Sequence, residues 1–237
     1  MQQLSGPIFL CCLLLLAACD DARESSAMEQ AALLTIDFEE MNPGFSPDKF
    51  SITKTGEGSH SVWTVENQLT GKQNSKVLIQ SSAERTSNHF PLSIYAEFSA
   101  RNLDISVNFL PISGTIDQAA GIAWRLQDEN NYYVVRANAL EDNVVLYKME
   151  NGIRSDLKPI AAGASAYGVE APVAAGQWST LKLVIVDDRF TVYLNNDRLF
   201  EVEDETFRAA GKVGLWTKAD SVTAFDNLLI QNTDPPQ

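Results

Sequence analysis

The 237 residues carry 18 Lys and Arg against 31 Asp and Glu, a net charge of −13. That balance argues against nucleic acid, whose condensed counterions are displaced by Lys and Arg, and against electrostatic adhesion to anionic lipid; a neutral ligand fits it best. All three cysteines precede residue 20, so the chain beyond them has no disulfide, thiolate metal site or cysteine nucleophile.

The chain opens with "GPIFLCCLLLLAAC", whose apolar run from Pro7 to Ala18 is shorter than a typical span of a ~30 Å hydrocarbon core and has the length of a signal-peptide core. Its end, Leu16-Ala17-Ala18-Cys19, resembles the lipobox of bacterial lipoproteins, which implies a signal peptide over 1–18 and a lipidated (palmitate-bearing) Cys19 at the mature N-terminus. Several acyl chains on Cys19 would anchor the protein far more firmly than one marginal chain. Residues 1–18 contain no Lys or Arg; a short membrane anchor that is never cleaved is therefore the competing reading. Asp20 resembles an inner-membrane retention signal, which places the expected protein in the periplasm on the inner membrane. Residues 19–32, with "ARESSAMEQAA", read as a polar tether that cannot bury much surface.

The remaining stretch of about 205 residues suits one all-β domain, expected over 33–231 with a tail at 232–237. Short alternating or apolar runs recur between turn residues: 61–65, 76–80, 104–110, 121–127, 132–139, 143–149, 179–186, 189–194, 198–202, 212–217 and 221–231. Asn151-Gly152, Asp187-Asp188 and Asn195-Asn196-Asp197 are suited to tight reversals. No window has a sustained 3.6-residue period, and regular strands of this spacing signal a sandwich or barrel.

At Gly121 to Gly152, "GIAWRLQDENNYYVVRANALEDNVVLYKMENG" resembles the concanavalin A-like laminin-G/family-16-glycosidase-like domains of bacteria, often labelled 3-keto-disaccharide hydrolase domains. The likeness rests on Arg125, Asp128, Asn131-Tyr132-Tyr133, Arg136, Leu146-Tyr147-Lys148 and Asn151-Gly152. Trp178 with "LKLVIVDDRFTVYLNNDRLFEV", "GKVGLWTKADSVTAFDNLLI" and the opening "IDFEEMNPGF" extend it over most of the chain. The resemblance implies a concanavalin A-like jelly-roll sandwich of two antiparallel sheets, first and last strands adjacent, one sheet curved, with any ligand on the concave sheet or at its rim. It says much less about activity.

Side chains alternate between the two faces of a strand. Ile122, Trp124 and Leu126 share one face, with Ala123, Arg125 and Gln127 opposite; Tyr133, Val135 and Ala137 oppose Tyr132, Val134, Arg136 and Asn138; Val213 and Leu215 oppose Trp216 and Lys218. With apolar faces inward, Arg125, Tyr132, Arg136, Lys148, Trp216 and Lys218 are expected on one outward surface, where rings and fixed donors suit a sugar. The competing reading has the arginines paired with acids as a solvated face. Asp128 to Asn131 read as a hairpin turn, with a rim Ca²⁺ site as the alternative; no other metal or cofactor is expected.

Glycoside hydrolysis usually needs two carboxylates at defined separation. Neither "IDFEE" (36–40) nor "EVEDE" (201–205) matches the family-16 arrangement, and both read as structural. His60 and His89 lie in loop-like stretches with no nucleophile elbow or zinc spacing nearby. The expectation is a lipid-anchored envelope protein that binds a glycan without catalysis. The alternatives are a glycoside hydrolase acting on (3-keto) disaccharides, with Arg125 and Arg136 shaping its site, and a structural envelope protein binding a partner protein.

Overall fold

The computed structural model describes residues 33–70, 73–161 and 166–235. The expected leader, Cys19, the tether and the last two residues of the tail lie outside them. Among the described residues the chain forms strands and no helix. In order these are β1 (Leu33–Ile36), β2 (Phe50–Gly56), β3 (Trp63–Thr70), β4 (Gln73–Gln80), β5 (His89–Ala100), β6 (Leu103–Ser113), β7 (Ala119–Asp128), β8 (Asn131–Asn138), β9 (Asn143–Glu150), β10 (Ile153–Leu157), β11 (Val169–Glu170), β12 (Ser179–Val186), β13 (Arg189–Leu194), β14 (Asp197–Glu203), β15 (Gly211–Trp216) and β16 (Val222–Asn232).

Two antiparallel sheets result. The first runs β14-β13-β12-β6-β16-β4-β3 with β1 added to β16; the second runs β10-β9-β8-β7-β15-β5-β2 with β11 added to β9. The first and last strands pair, Leu33 opposite Gln231. This is the concanavalin A-like jelly-roll sandwich expected from the sequence. Period-two patterning explains the half-solvated strands: along β12, Leu181, Leu183 and Ile185 are buried while Thr180, Lys182 and Val184 are half-exposed. The hairpin reversals follow from residues that tolerate positive φ. Asn151-Gly152 has φ of 51° and 76°, and Asn195-Asn196 has 50° and 72°, as a type I′ turn demands.

Strands β12 and β13 lie where the alternation puts them, and β2, β5 and β10 were hidden to it. The reason is clearest in β5, "HFPLSIYAEFSA". Its Phe90, Leu92 and Ile94 face one core and its Tyr95 the other, so apolar residues do not alternate with polar ones. Pro91 also argues against a central strand.

Between the sheets lies the main core. Trp124 meets Phe190 edge-on at 5.2 Å and stacks on Tyr133 at 5.3 Å, while Trp63 packs on Phe225 at 5.7 Å. Burial of each such side chain supplies about 1.5–3 kcal/mol. A second core fills the opposite face of the second sheet: Phe90, Leu92, Tyr132, Val134, Tyr147 and Trp216 are all buried there. The sheet achieves this by curling on itself. Thr55 of β2 and Tyr132 of β8 are separated by β5, β15 and β7, roughly 19 Å in a flat sheet at the usual spacing. Their hydroxyls are 2.7 Å apart. The expected curved sheet is therefore curled tightly enough to bury much of its concave face.

One acidic group on the first sheet reports on folding. Asp226 of β16 is half-buried, and burial pushes its carboxyl up to about 6, with Asn227 N–H donation pulling the other way and Glu39 and Asp37 adding to the rise. The folded value exceeds the ordinary 3.8, so the fold binds more protons than the unfolded chain and loses stability as pH rises across that window. Asp226→Asn should raise the thermal midpoint at pH 7.5 and change it little at pH 4; an equal shift at both pH values would contradict this origin.

Candidate ligand-binding face

Of the six expected site residues, the fold gathers four on the concave face of the second sheet. Register puts Arg136 of β8 opposite Gly121 of β7, and Gly121 opposite Trp216 of β15. Tyr132 lies on the same side, two pleats away along β8. Trp216 Nε1–H donates to the Tyr132 hydroxyl at 3.3 Å, which donates to Thr55, whose hydroxyl in turn donates to the Glu129 carbonyl. Burial pushes the Tyr132 phenol up to about 12. Trp216 and Tyr132 are fully buried, which corrects the expectation of an open aromatic platform: their rings are core, because the sheet closes over them.

Arg125 and Lys148 do not join this face. A bulge interrupts the β7–β8 ladder after Trp124, and Arg125 itself has φ of 45°, so simple alternation fails at that residue. Its guanidinium enters the end of the sandwich, 5.4 Å from the centre of the Phe190 ring. There it donates to the carbonyls of Arg101 and Phe207, each at 3.0 Å, and of Asp187. Lys148 pairs in register with Tyr133 and therefore shares its side of the sheet. It donates to Thr206 at 2.7 Å and sits 3.5 Å from Asp204, which also accepts the Tyr133 hydroxyl at 2.6 Å.

The charged end of the concave face is built around Asp117, which the sequence reading did not single out. Asp117 is held by a loop that Asp220 pins, accepting from the Thr115, Ile116 and Asp117 backbone N–H groups at 2.9–3.1 Å. Burial raises the Asp220 carboxyl, but those bonds and the Thr115 hydroxyl more than offset it, and it falls to about 2. Asp117 accepts from Asn138 at 2.8 Å and from Lys218, and lies 3.9 Å from Arg136. Burial pushes its carboxyl up, against the opposing pull of Lys218 and Arg136.

Arg136 is fully buried and fixed: it forks onto Glu141 at 2.8 and 3.3 Å and donates to Asn143 at 2.6 Å. Its carbon lies 5.7 Å from the centre of the Tyr147 ring, and its Nε has no partner. The Tyr147 hydroxyl bonds the hydroxyl of Tyr167, whose ring is 49% exposed. Glu141 and Tyr167 are thus the accessible edge of a network whose Arg136 and Asp117 are sealed beneath them, with Lys218 partly exposed. Chemically, this edge offers a fixed carboxylate, an ammonium and a phenol to a ligand. Of the two arginines that the solvated-face reading pairs with acids, Arg136 finds Glu141, but in a buried network, and Arg125 finds backbone carbonyls instead.

The other candidates take structural places. Asp128 accepts from the Asn130 N–H at 2.7 Å and the Asn131 amide at 3.0 Å, and Asn131 accepts from the Asn151 N–H, a hydrogen-bonded turn. Among the described residues no cluster of three His, Cys, Asp or Glu could hold a metal. Glu201 and Glu203 pair with Arg189 on the outer strands β13 and β14. His60 is in an exposed loop, whereas His89 begins β5, is fully buried, and has Nδ1 2.7 Å from the Glu57 carbonyl.

No family model and no curated protein matches the chain. Solved structures do. The carbohydrate-binding module CBM66 from Bacillus subtilis aligns with a TM-score of 0.58 at 20% identity, over 79% of this chain and 99% of that one. Domain 4 of AbnA, a GH43 extracellular arabinanase from Geobacillus stearothermophilus in complex with arabinotriose, aligns at 0.53 and 17%, over 86% and 94%. The Bacillus licheniformis β-glucanase aligns at 0.52 and 12%, over 86% and 99%. At these identities the shared property is the fold.

Proposed function

We propose that this sandwich is a non-catalytic carbohydrate-binding domain, carried at the cell envelope by a lipidated Cys19. The sugar rests at the charged end of the concave face, against Glu141, Tyr167 and the partly exposed Lys218, with Arg136 fixing Glu141 from beneath. The observation that carries this reading is the rim itself: Glu141 and Tyr167 are exposed yet held in place from below, Glu141 by Arg136 and Asn143 and Tyr167 by the Tyr147 hydroxyl. Fixed donors and acceptors next to a tyrosine edge are what a hydroxyl-rich ligand requires, since each hydroxyl both donates and accepts. The fold shared with a carbohydrate-binding module and with two glycosidase-associated structures supports the same reading.

Glycan-array screening followed by calorimetry should find an oligosaccharide ligand whose affinity drops about tenfold, near 1.4 kcal/mol, in Glu141→Gln and in Tyr167→Ala. Unchanged affinity in both variants removes this face. Thermal midpoints of both variants report folding separately, because Glu141 also pairs with the buried Arg136. For the anchor, Cys19→Ser should move the protein from the membrane fraction to the soluble periplasm, whereas the lipidated parent stays on the inner membrane, as Asp20 suggests. Membrane retention of that variant would refute lipidation as the means of attachment.

A further inference from the structure

Arg154 of β10 pairs in register with Met149 of β9 and so belongs to the concave face. Its guanidinium carbon lies 4.6 Å from the centre of the Tyr147 ring and 5.0 Å from that of Phe90. No hydrogen bond or ion pair joins it to any described residue, and its Nη1 is buried without a partner. The charges around it are already matched: Arg136 by Glu141, Lys218 by Asp117, and Asp156 by Lys158. Among the described residues one cation, Arg154, is therefore left over at this corner, in a chain whose net charge is −13.

Ring faces attract a guanidinium by roughly 0.5–2 kcal/mol, but they accept none of its N–H donors in ordinary hydrogen-bond geometry. They hold it in place and leave a planar donor fork without its complement. A carboxylate matches that fork with two parallel bonds. A neutral hydroxyl accepts one bond at a time. The overall negative charge does not forbid such a ligand, because exposed charges more than about 8 Å away are screened at physiological salt. It does favour a single negative charge over a phosphate, with Glu141, Asp117 and Asp156 all nearby on the same face.

We propose that the bound sugar is acidic: a uronic-acid residue of an oligosaccharide whose carboxylate is received by Arg154. This rests on the carbohydrate-binding reading above and names its ligand class. Tyr147 links the two parts of the site, since Arg136 and Arg154 both lie against its ring. The carboxylate then meets Arg154 while the ring hydroxyls meet Glu141, Tyr167 and Lys218.

Calorimetry with the full-length protein in neutral detergent tests this. The probes are tetrasaccharides of galacturonate, glucuronate and mannuronate, each also as its methyl ester, together with neutral tetrasaccharides of glucose, mannose and arabinose. At least one free uronate should bind roughly tenfold or more tightly than its ester, as a charge-assisted pair implies. That preference should weaken with added salt and vanish in Arg154→Gln, with Arg154→Lys recovering part of it. The thermal midpoint of Arg154→Gln reports folding separately. Equal affinity for acids and esters, binding of neutral sugars alone, or an unaltered preference in a folded Arg154→Gln would each overturn the acidic-ligand inference while leaving carbohydrate binding intact. Binding of no probe at all would overturn both.

Discussion

Trp216→Ala should lower the free energy of unfolding by about 3–5 kcal/mol, the range for removing a large aromatic from a packed core. Nothing in the sequence distinguishes this outcome from loss of a surface ring. In the fold, Trp216 stacks on Phe90 with ring centres 5.5 Å apart and planes 14° apart. Its indole N–H starts the chain of hydrogen bonds through Tyr132 and Thr55 to the Glu129 carbonyl. Truncation therefore opens a cavity in the second core and leaves the Tyr132 hydroxyl one donor short. It also loosens the contact that holds β2 against the β7–β8 turn. Equilibrium denaturation with urea measures the loss, and Trp216→Phe should recover much of the apolar part but not the hydrogen bond. A Trp216→Ala change below about 1 kcal/mol would mean that the curled face is not a core.

The second large effect is expected at Arg125. Arg125→Met keeps much of the side-chain volume but removes the donors serving the Arg101, Asp187 and Phe207 carbonyls. These belong to three separate segments: the β5–β6 turn, the β12–β13 turn and the loop before β15. Each hydrogen bond from a charged donor contributes about 1.5–3 kcal/mol, so losing these three part-buried bonds should destabilise the variant by about 3 kcal/mol or more. Arg125→Lys should rescue little, because one ammonium on a flexible stem cannot reproduce the planar fork. The local backbone is equally constrained. A Cβ on Gly211 would sit 2.4 Å from the Arg125 carbonyl carbon and 2.7 Å from its Cα, so β15 approaches the bulge that only glycine permits. If Arg125→Met unfolded within 1 kcal/mol of the parent, this clamp would have no energetic weight.

Most of the sheet framework was legible in the sequence, and the site was legible only in part. Tyr132, Arg136 and Trp216 do share a face, because unbroken pleats alternate. The same alternation places Lys148 with Val144 and Leu146, on the side where the main core sits, and it was available without coordinates. Arg125 was not: a bulge leaves no reliable mark in the residues that form it. Asp117, Glu141 and Arg154 were missed because each is an ordinary charged residue beside a turn. Arg154 follows the Asn151-Gly152 reversal by two positions, and that turn was the one available signal for β10.

What the amino-acid sequence determined by itself is what depends on neighbours along the chain. Period-two burial makes strands, Asn and Gly at positive φ make the reversals, and together they specify an antiparallel sandwich. What only the tertiary structure decided is which outward face stays outward. That choice rests on contacts such as Thr55 with Tyr132, 77 residues apart, which curl a sheet until its exposed side becomes a second core. The same closure brings both Phe90 and Tyr147 against Arg154. Local alternation specifies two faces for a strand, and the curvature of the whole sheet determines whether the second one meets water, a ligand or itself.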